Sequence, residues 1–315
     1  MIQVLGDLIA DISMRLPHFP VQAKDIHRLS YLEVGPGGAC NIAIMAARFG
    51  LSVGGLGEVG DDGFGLVVRE GLKREGVDIS RLIVTEGAKT PVAGVVVDRA
   101  GEPAYLGHPG SLVVDELPTE WIADIKKAEA LFADGWVENE ASPLMILKGF
   151  DLAREAKVPV FFDPGPGNPD VDNAWMQEAL KRSTVVMLNR REANRLTEQK
   201  TEDGMVKSIL DMGVEVLVLK RGADGLILAQ GETRYFSHGF KVQSKDATGA
   251  GDSLAGAMLY GMTSGMDLEK LSVLANATGA AKVQKLGTGH NMPTMEEVAA
   301  VLRENGHSPG DYLPG

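Results

Sequence analysis

Short, wholly apolar runs recur along this chain, each set apart by stretches with helical spacing, and that alternation limits its fold more than any other feature. Ile2 to Leu5, Ala130 to Ala133, Val158 to Phe162, Thr184 to Leu188 and Val214 to Leu219 read as strands without a polar face. Ala39 to Phe49, Phe64 to Glu75, Pro143 to Ala156, Ala174 to Arg182 and two short helices within Arg191 to Met212 separate or follow them. A strand that is apolar on both faces must be covered on both faces. Such strands alternating with helices predict a doubly wound, mostly parallel α/β sheet with right-handed crossovers and helices on either side. Ser52 to Val59 adds a glycine-rich strand, and Leu254 to Lys285 and Met295 to Asn305 read as C-terminal helices.

Two stretches break the rhythm. Ile12 to Val34 holds Pro17 and Pro20, then the alternation Ile26, Arg28, Ser30, Leu32. Pro91 to His108 has hairpin grammar: Val92 to Asp98, the turn Arg99-Ala100-Gly101-Glu102, then Pro103 to Leu106. The expected organisation is an α/β body from 1–11, 35–90 and 111–305, a small β unit from 12–34 and 91–110, and a loose Pro- and Gly-rich tail at 306–315. A length of 315 residues, 44% of them hydrophobic, suits one large domain with a small appendage. The net charge of −12 argues against nucleic-acid and anionic-membrane partners. The single cysteine, Cys40, excludes an intramolecular disulfide and suits a reducing cytoplasm; as a small buried hydrophobe it needs no chemical role. No signal peptide and no apolar stretch of membrane-spanning length is evident, so the expected location is cytoplasmic.

The run Asp246-Ala247-Thr248-Gly249-Ala250-Gly251-Asp252-Ser253 carries the chemistry. It leads into Leu254 to Tyr260, which reads as a buried helix. A glycine-rich turn entering a helix points unpaired N–H groups at one spot, and the helix dipole favours an anion there. Asp252 in the same turn would repel a resting phosphate. It makes sense as a base that takes a proton from a hydroxyl attacking a phosphoryl group. Gly249, Ala250 and Gly251 would then offer N–H groups to the developing charge. The plainer alternative for Asp252 is an N-cap carboxylate, and for the glycines an ordinary tight turn.

In the order of the chain, Gly6-Asp7-Leu8-Ile9-Ala10-Asp11, Gly35-Pro36-Gly37-Gly38-Ala39-Cys40-Asn41, Gly57 to Gly65, Asn189-Arg190-Arg191-Glu192, Lys220 to Gly225 and the Asp246–Ser253 run resemble the motifs of the ribokinase-like (PfkB) sugar and nucleoside kinases, over essentially the whole chain. The resemblance implies a ribokinase-like fold whose two β stretches form a lid over the substrate. Asp11 would accept hydrogen bonds from sugar hydroxyls, with Asp7 the weaker candidate, and Gly37, Gly38 and Asn41 would complete the sugar site. Glu192 beside Asn189 would hold the Mg²⁺ of MgATP through waters. Lys220, Gly222, Gly225, Thr248 and Asn276 would flank the nucleotide, near the turn Gly287-Thr288-Gly289. Asp246 and Thr248 fall where members with a monovalent-cation site place ligands, so K⁺ joins ATP and Mg²⁺ as an expected cofactor whose use stays open. By position alone, Trp136 and Glu140 edge the sugar pocket, whereas His108 at the end of the hairpin reads as a surface or packing histidine in preference to one facing substrate. Asp163-Pro164-Gly165-Pro166-Gly167 lacks the arginine many sugar kinases carry there; Arg190 and Arg191 are alternative sources of that contact.

The function implied is ATP-dependent phosphorylation of a hydroxyl on a small sugar or sugar acid. A nucleoside kinase on the same fold is the alternative, disfavoured by few aromatics, 5% of residues, to stack a base. A dehydrogenase would need Gly-x-Gly-x-x-Gly after the first strand, where Gly6-Asp7 stands instead. A non-catalytic sugar sensor would be marked by loss of the base, and Asp252 is present. A lid leaves an open sheet edge and face, which predicts a homodimer through it.

Overall fold

The computed structural model describes residues 1–111, 116–136, 141–165 and 174–314. The chain opens with β1 (Ile2–Leu5), β2 (Leu8–Arg15), β3 (Tyr31–Gly38), α1 (Ala39–Arg48), β4 (Val53–Leu56), β5 (Glu58–Gly60), α2 (Gly63–Arg74) and β6 (Ile83–Thr85). β7 (Val92–Val97), β8 (Pro103–His108), α3 (Thr119–Lys126), β9 (Ala130–Asp134), α4 (Ala141–Glu155), β10 (Val160–Asp163), α5 (Ala174–Arg182) and β11 (Val185–Asn189) follow. The chain continues through α6 (Arg190–Thr197), α7 (Glu202–Leu210), β12 (Val216–Lys220), β13 (Leu226–Gln230) and β14 (Thr233–Ser237) to α8 (Ala250–Thr263), α9 (Leu268–Lys282) and α10 (Met295–Glu304).

Among the described residues, eight strands form the main sheet in the order β14-β13-β12-β11-β10-β9-β1-β4. From β12 to β4 neighbours run parallel, as expected; β13 and β14 add an antiparallel edge that the sequence reading did not include. Successive side chains of a strand point to opposite faces, and here both faces are buried. Ala130 and Phe132 of β9 pack with α1, α2, α8, α9 and α10. Leu131 and Ala133 pack with the helices α3 to α7 on the other side. This is why the sequence shows unbroken apolar runs rather than alternation.

The second sheet has the order β3-β2-β7-β8. β2 begins at Leu8 and β3 ends at Gly38, so this unit reaches further into the chain at both ends than 12–34. The alternation at Ile26, Arg28 and Ser30 forms no strand, and Ile26 is 94% exposed. Register sets Ser13, Val95 and Tyr105 in one row and Asp11, Ala93 and Gly107 in the next, all on the face toward the body's cavity. Ile12, Val34 and Leu106 stand on the opposite face. The tip of the β7–β8 hairpin touches the body, where the Ala247 N–H donates to the Gly101 carbonyl at 3.0 Å.

Two C-terminal expectations are corrected. Leu254 to Lys285 is not one helix: α8 stops at Thr263, Gly265 takes a left-handed φ of 69°, and Asp267 caps α9 by accepting from the Glu269 and Lys270 N–H groups. The tail is not loose, because Pro309–Asp311 forms a 3₁₀ turn and Tyr312 and Leu313 pack against the core. Those apolar contacts outweigh the Pro and Gly content.

Helix α8, which the Asp246–Ser253 run enters, crosses α1 at a glycine. A Cβ on Gly256 would lie 2.4 Å from the Met45 Cβ and 3.2 Å from the Ala46 backbone nitrogen. Gly256→Val is expected to lower the unfolding free energy by about 1–3 kcal/mol through overpacking. A urea midpoint equal to wild type would show that the two helices do not approach this closely.

Candidate active site

The carboxyl ends of the central strands converge on one cavity. Asp7 lies two residues past β1, while Asp134, Asp163, Asn189 and Lys220 are the last residues of β9, β10, β11 and β12. Register pairs Asp134 with Asp163 and Asn189 with Lys220. The chain leaves β1 for β4 on one side and later for β9 on the other, so the crevice lies at the point where strand order reverses, the usual ligand position of such sheets.

The Asp246–Ser253 run closes this cavity. Gly249 is the N-cap of α8 with a left-handed φ of 75°, which permits the tight entry. Ala250 donates its N–H back to the Ala247 carbonyl at 3.3 Å, a long bond, so Gly249 and Gly251 are the residues of the run best placed to present N–H groups. Asp252 lines the cavity, and its Oδ2 accepts from Asn41 Nδ2 at 2.9 Å. It is not the cap of its own helix. Burial raises its pKa to about 6; the Asn41 hydrogen bond lowers it, Asp163 raises it, and Lys220 and Lys282 lower it. A carboxylate at about 6 is ionised at neutral pH and basic enough to share a proton with an attacking hydroxyl.

Asp11 lies beneath, only 4% exposed, and its Oδ2 accepts from the Thr288 hydroxyl at 2.6 Å. Burial, opposed by that hydrogen bond and reinforced by Asp252 and Asp246, raises its pKa to about 7. Gly37 makes room for it, since a Cβ there would sit 2.0 Å from the Asp11 carboxyl carbon. Gly38 adopts a φ of 56° and turns the chain from β3 into α1. Asn41 bridges the site, with its Oδ1 accepting from the Gly289 N–H at 2.9 Å while its amide serves Asp252.

Lys220 faces the helix N-terminus. Its Nζ lies 3.2 Å from where a Gly251 Cβ would be and donates to Asp163 Oδ2 at 2.6 Å. Burial works against its charge, but Asp163 and Glu192 outweigh that and hold the ammonium above its ordinary range. Glu192 forms a capping box with Asn189: it accepts from the Asn189 backbone and amide nitrogens at 2.7 and 2.6 Å, and Asn189 Oδ1 accepts its N–H at 3.0 Å. Burial raises the Glu192 pKa, Lys220 opposes this, and Asp163 adds to it. Both residues line the cavity.

Several expected residues lie outside the lining of this cavity. Asn276 donates to the Ser237 hydroxyl and the His238 carbonyl, tying α9 to the end of β14, and does not line the cavity. Gly222 and Gly225, with φ of 61° and 91°, shape the turn between β12 and β13 outside the lining. Arg190 is held by Glu202 and Asp224, and neither it nor Arg191 reaches the cavity. Trp136 and His108 do line it; Glu140 lies outside the described residues.

Other residues became visible only in three dimensions. Asp163 anchors Lys220. Burial, then the charges of Asp7, Asp252 and Asp163, raise the Asp134 pKa well above the carboxylate range. Tyr105 of the second sheet packs edge-on to Trp136 at 5.2 Å. Burial and the Asp252 charge push its phenol upward, while nearby Thr248 opposes the shift. The sequence signal for Asp134 was its position at a strand end; Asp163 also carried the Asp-Pro motif, but nothing there pointed to Lys220.

The cavity suits an anion at its α8 end and a hydroxylated compound at its Asp11 end. The phosphates of ATP fit the Gly249–Gly251 turn with Lys220 beside it. Mg²⁺ fits less directly: Glu192 is engaged by Asn189, so its carboxylate would reach the ion through water. Among the described residues, no group of three metal-ligating side chains forms a ready cage.

The pfkB family carbohydrate kinase profile matches residues 1–295. The chain belongs to this family of carbohydrate kinases. It is an ATP-dependent sugar kinase. It is 31% identical over 308 residues to an ATP-dependent ribose-1-phosphate kinase of Halopiger xanaduensis, covering 96% of this chain and 99% of that protein. An Arabidopsis thaliana ribokinase complexed with ribose and ATP superposes with a TM-score of 0.81 at 22% identity, over 95% of this chain and 97% of the other. A putative ribokinase II of E. coli in complex with ATP and Mg²⁺ gives 0.82 at 18% identity, over 96% and 99%. No described helix is long and apolar enough to cross a membrane.

Ionised Asp252 carries a cost in the fold. Its folded pKa of about 6 exceeds the unfolded value near 3.9, so protonation favours the folded state and that advantage is lost as pH rises through about 6. Asp252→Asn keeps the shape without the charge. At pH 8 it is expected to be more stable by on the order of 1–2 kcal/mol, less than the full shift implies because water reaches the carboxylate from the cavity. Near pH 4 the difference should vanish. A variant that melts below wild type at pH 8 would contradict this electrostatic account.

Proposed function

We propose that Asp252 is the general base for ATP-dependent phosphorylation of a hydroxyl on an uncharged sugar. The observation that carries this reading is one carboxylate, with a pKa near neutrality, set in the first turn of α8 beside Gly251 and Lys220. Asp11 and Asn41 orient the sugar, and Asp252 removes the proton from the attacking hydroxyl. The N–H groups of Gly249 and Gly251 and the Lys220 ammonium meet the charge on the phosphoryl group in flight. Bound Mg²⁺ would neutralise the phosphate oxygens of the nucleotide, with Glu192 holding its waters. Asp163 keeps Lys220 aimed at the cradle.

Charge supports the choice of a neutral substrate. Asp7, Asp11, Asp134, Asp163 and Asp252 line the cavity, while Lys220 is its only lysine or arginine among the described residues and is already paired with Asp163. A second carboxylate or phosphate on the sugar would be repelled. The Halopiger relative is named for ribose 1-phosphate, so an ADP-release screen should include ribose, fructose, ribose 1-phosphate, sugar acids and nucleosides. Turnover with neutral sugars alone supports this reading; turnover only with an anionic sugar or a nucleoside overturns it.

The second sheet serves as the lid, with Tyr105 facing the site. Its outer face exposes Leu32, Val34 and Leu106 at 61%, 42% and 65%. A second copy of the chain covering that face would make the homodimer; light scattering at micromolar concentration should return twice the chain mass, and a monomer mass would refute it. The buried, unpaired Cys40 suits a cytoplasmic setting.

Asp252→Asn should bind ATP and lose about 10²–10⁴ in turnover, the usual contribution of a positioned base. In wild type, kcat/KM should fall as pH drops below about 6, where Asp252 takes up a proton. Asp11→Ala should act chiefly on the KM for sugar. Equal kcat in the Asp252 variant, or an unchanged sugar KM in the Asp11 variant, would reassign those residues.

A further inference from the structure

The place beneath the anion-binding loop is already occupied by a cation. Lys282, at the end of α9, is fully buried, with 0% exposure. Its side chain runs under Gly249, with Cε 3.3 Å from where a Gly249 Cβ would be, alongside Met292 Sδ and Thr288 Cγ2. Its single hydrogen bond among the described residues is a long one, 3.5 Å to the Lys285 carbonyl. An ammonium is taken wholly out of water only where negative charge compensates it. Asp246 and Asp252 are the carboxylates that act on it. Burial draws its pKa down to about 8, with those two carboxylates pulling the other way, so it stays charged at neutral pH.

The same geometry argues against a monovalent metal ion on Asp246. That carboxylate is 1% exposed, and each oxygen is taken by a backbone donor: Oδ1 by the Thr248 N–H at 2.9 Å and Oδ2 by the Gly287 N–H at 2.9 Å. A metal ion on Asp246 would also meet the charge of the buried Lys282 ammonium, on which that carboxylate already acts, and the two cations would repel. The residues present do not fit K⁺.

We propose that the Lys282 ammonium is the fixed monovalent cation beneath the anion-binding loop, so that this kinase works without K⁺. The proposal rests on the kinase reading above. Lys282 is a positioning residue: it touches no reacting atom. It balances Asp246 and Asp252, and it adds a permanent positive charge behind the N–H groups that receive the phosphoryl charge. An internal ammonium needs no binding step and cannot dissociate.

The test compares KCl, NaCl, CsCl and N-methyl-d-glucamine chloride at one ionic strength. Two readouts are used: turnover on the sugar found in the screen, and melting temperature with Mg²⁺ and a non-hydrolysable ATP analogue. Wild-type turnover should agree across the salts within about twofold, and Lys282→Met should lose about tenfold or more in kcat, because a fixed charge behind the anion site is gone. Lys282→Arg should keep more activity than the Met variant, and K⁺ or methylammonium should restore part of the Met variant's turnover while leaving wild type unchanged. Several-fold activation of wild type by K⁺, a K⁺-specific rise in its melting temperature, or full kcat in Lys282→Met would each overturn the proposal. If the Met variant does not fold, the wild-type salt series and the Arg variant still decide it. The melting experiment needs no sugar, so absence of any sugar substrate would count against the kinase reading and leave the cation question answered separately.

Discussion

Negative charge is gathered at one edge of the main sheet, and the structure around that edge compensates it. Asp7, Asp11, Asp134, Asp163, Glu192 and Asp252 all face a single cavity, with Asp246 buried just behind it. Carboxylates brought together out of water repel one another and lose hydration. Each therefore has a specific partner or a raised pKa. Asp163 takes the Lys220 ammonium, Asp246 takes two backbone N–H groups, Glu192 takes the backbone and side-chain N–H groups of Asn189, and Asp11 takes the Thr288 hydroxyl. Asp134 takes up a proton more readily instead. The positive end of α8 faces the same cavity, which makes its first turn the place where a further anion is tolerated.

Close approach of backbone makes this arrangement possible. Gly37 admits the Asp11 carboxyl, Gly249 lies over Lys282, and Gly256 lets α1 and α8 touch. Asn41 sits on α1, Asp252 on α8, and the hydrogen bond from the Asn41 amide to the Asp252 carboxylate spans that helix contact. Tight helix packing thus fixes the height of Asp252 relative to the Asp11 end of the pocket.

How much was legible in the sequence follows from which interactions are local. The parallel core was readable because its strands are buried on both faces, so each left an unbroken apolar run. The edge strand β14 was not, since Thr233 to Phe236 is exposed or half-buried and carries no such run; β13 does carry one, Leu226 to Ala229, which the sequence reading did not include. The glycine turn with Asp252 was readable because one continuous segment builds it. Asp134 and Lys282 were not singled out, because their meaning comes from partners far away in the chain, Asp7 and Asp246 among them. Lys282 sits within an otherwise apolar helical stretch, where a lysine reads as a solvated position. Asn276 and Gly225 came from the family resemblance, and what the fold adds is that both pack against the end of β14.

The hydrogen bond from Ala247 to the Gly101 carbonyl joins the hairpin tip of the second sheet to the residues just ahead of the anion-binding loop. One segment therefore borders both halves of the reaction. If sugar fills the cavity and nucleotide meets the Gly249–Gly251 turn, as proposed, a change in how the hairpin docks would be felt at that turn. Thermodynamic linkage makes this mutual: a factor by which one ligand strengthens the other is returned unchanged in the opposite direction. On the proposed reading, any coupling carried by this one backbone contact would act on sugar and nucleotide equally, within a single subunit.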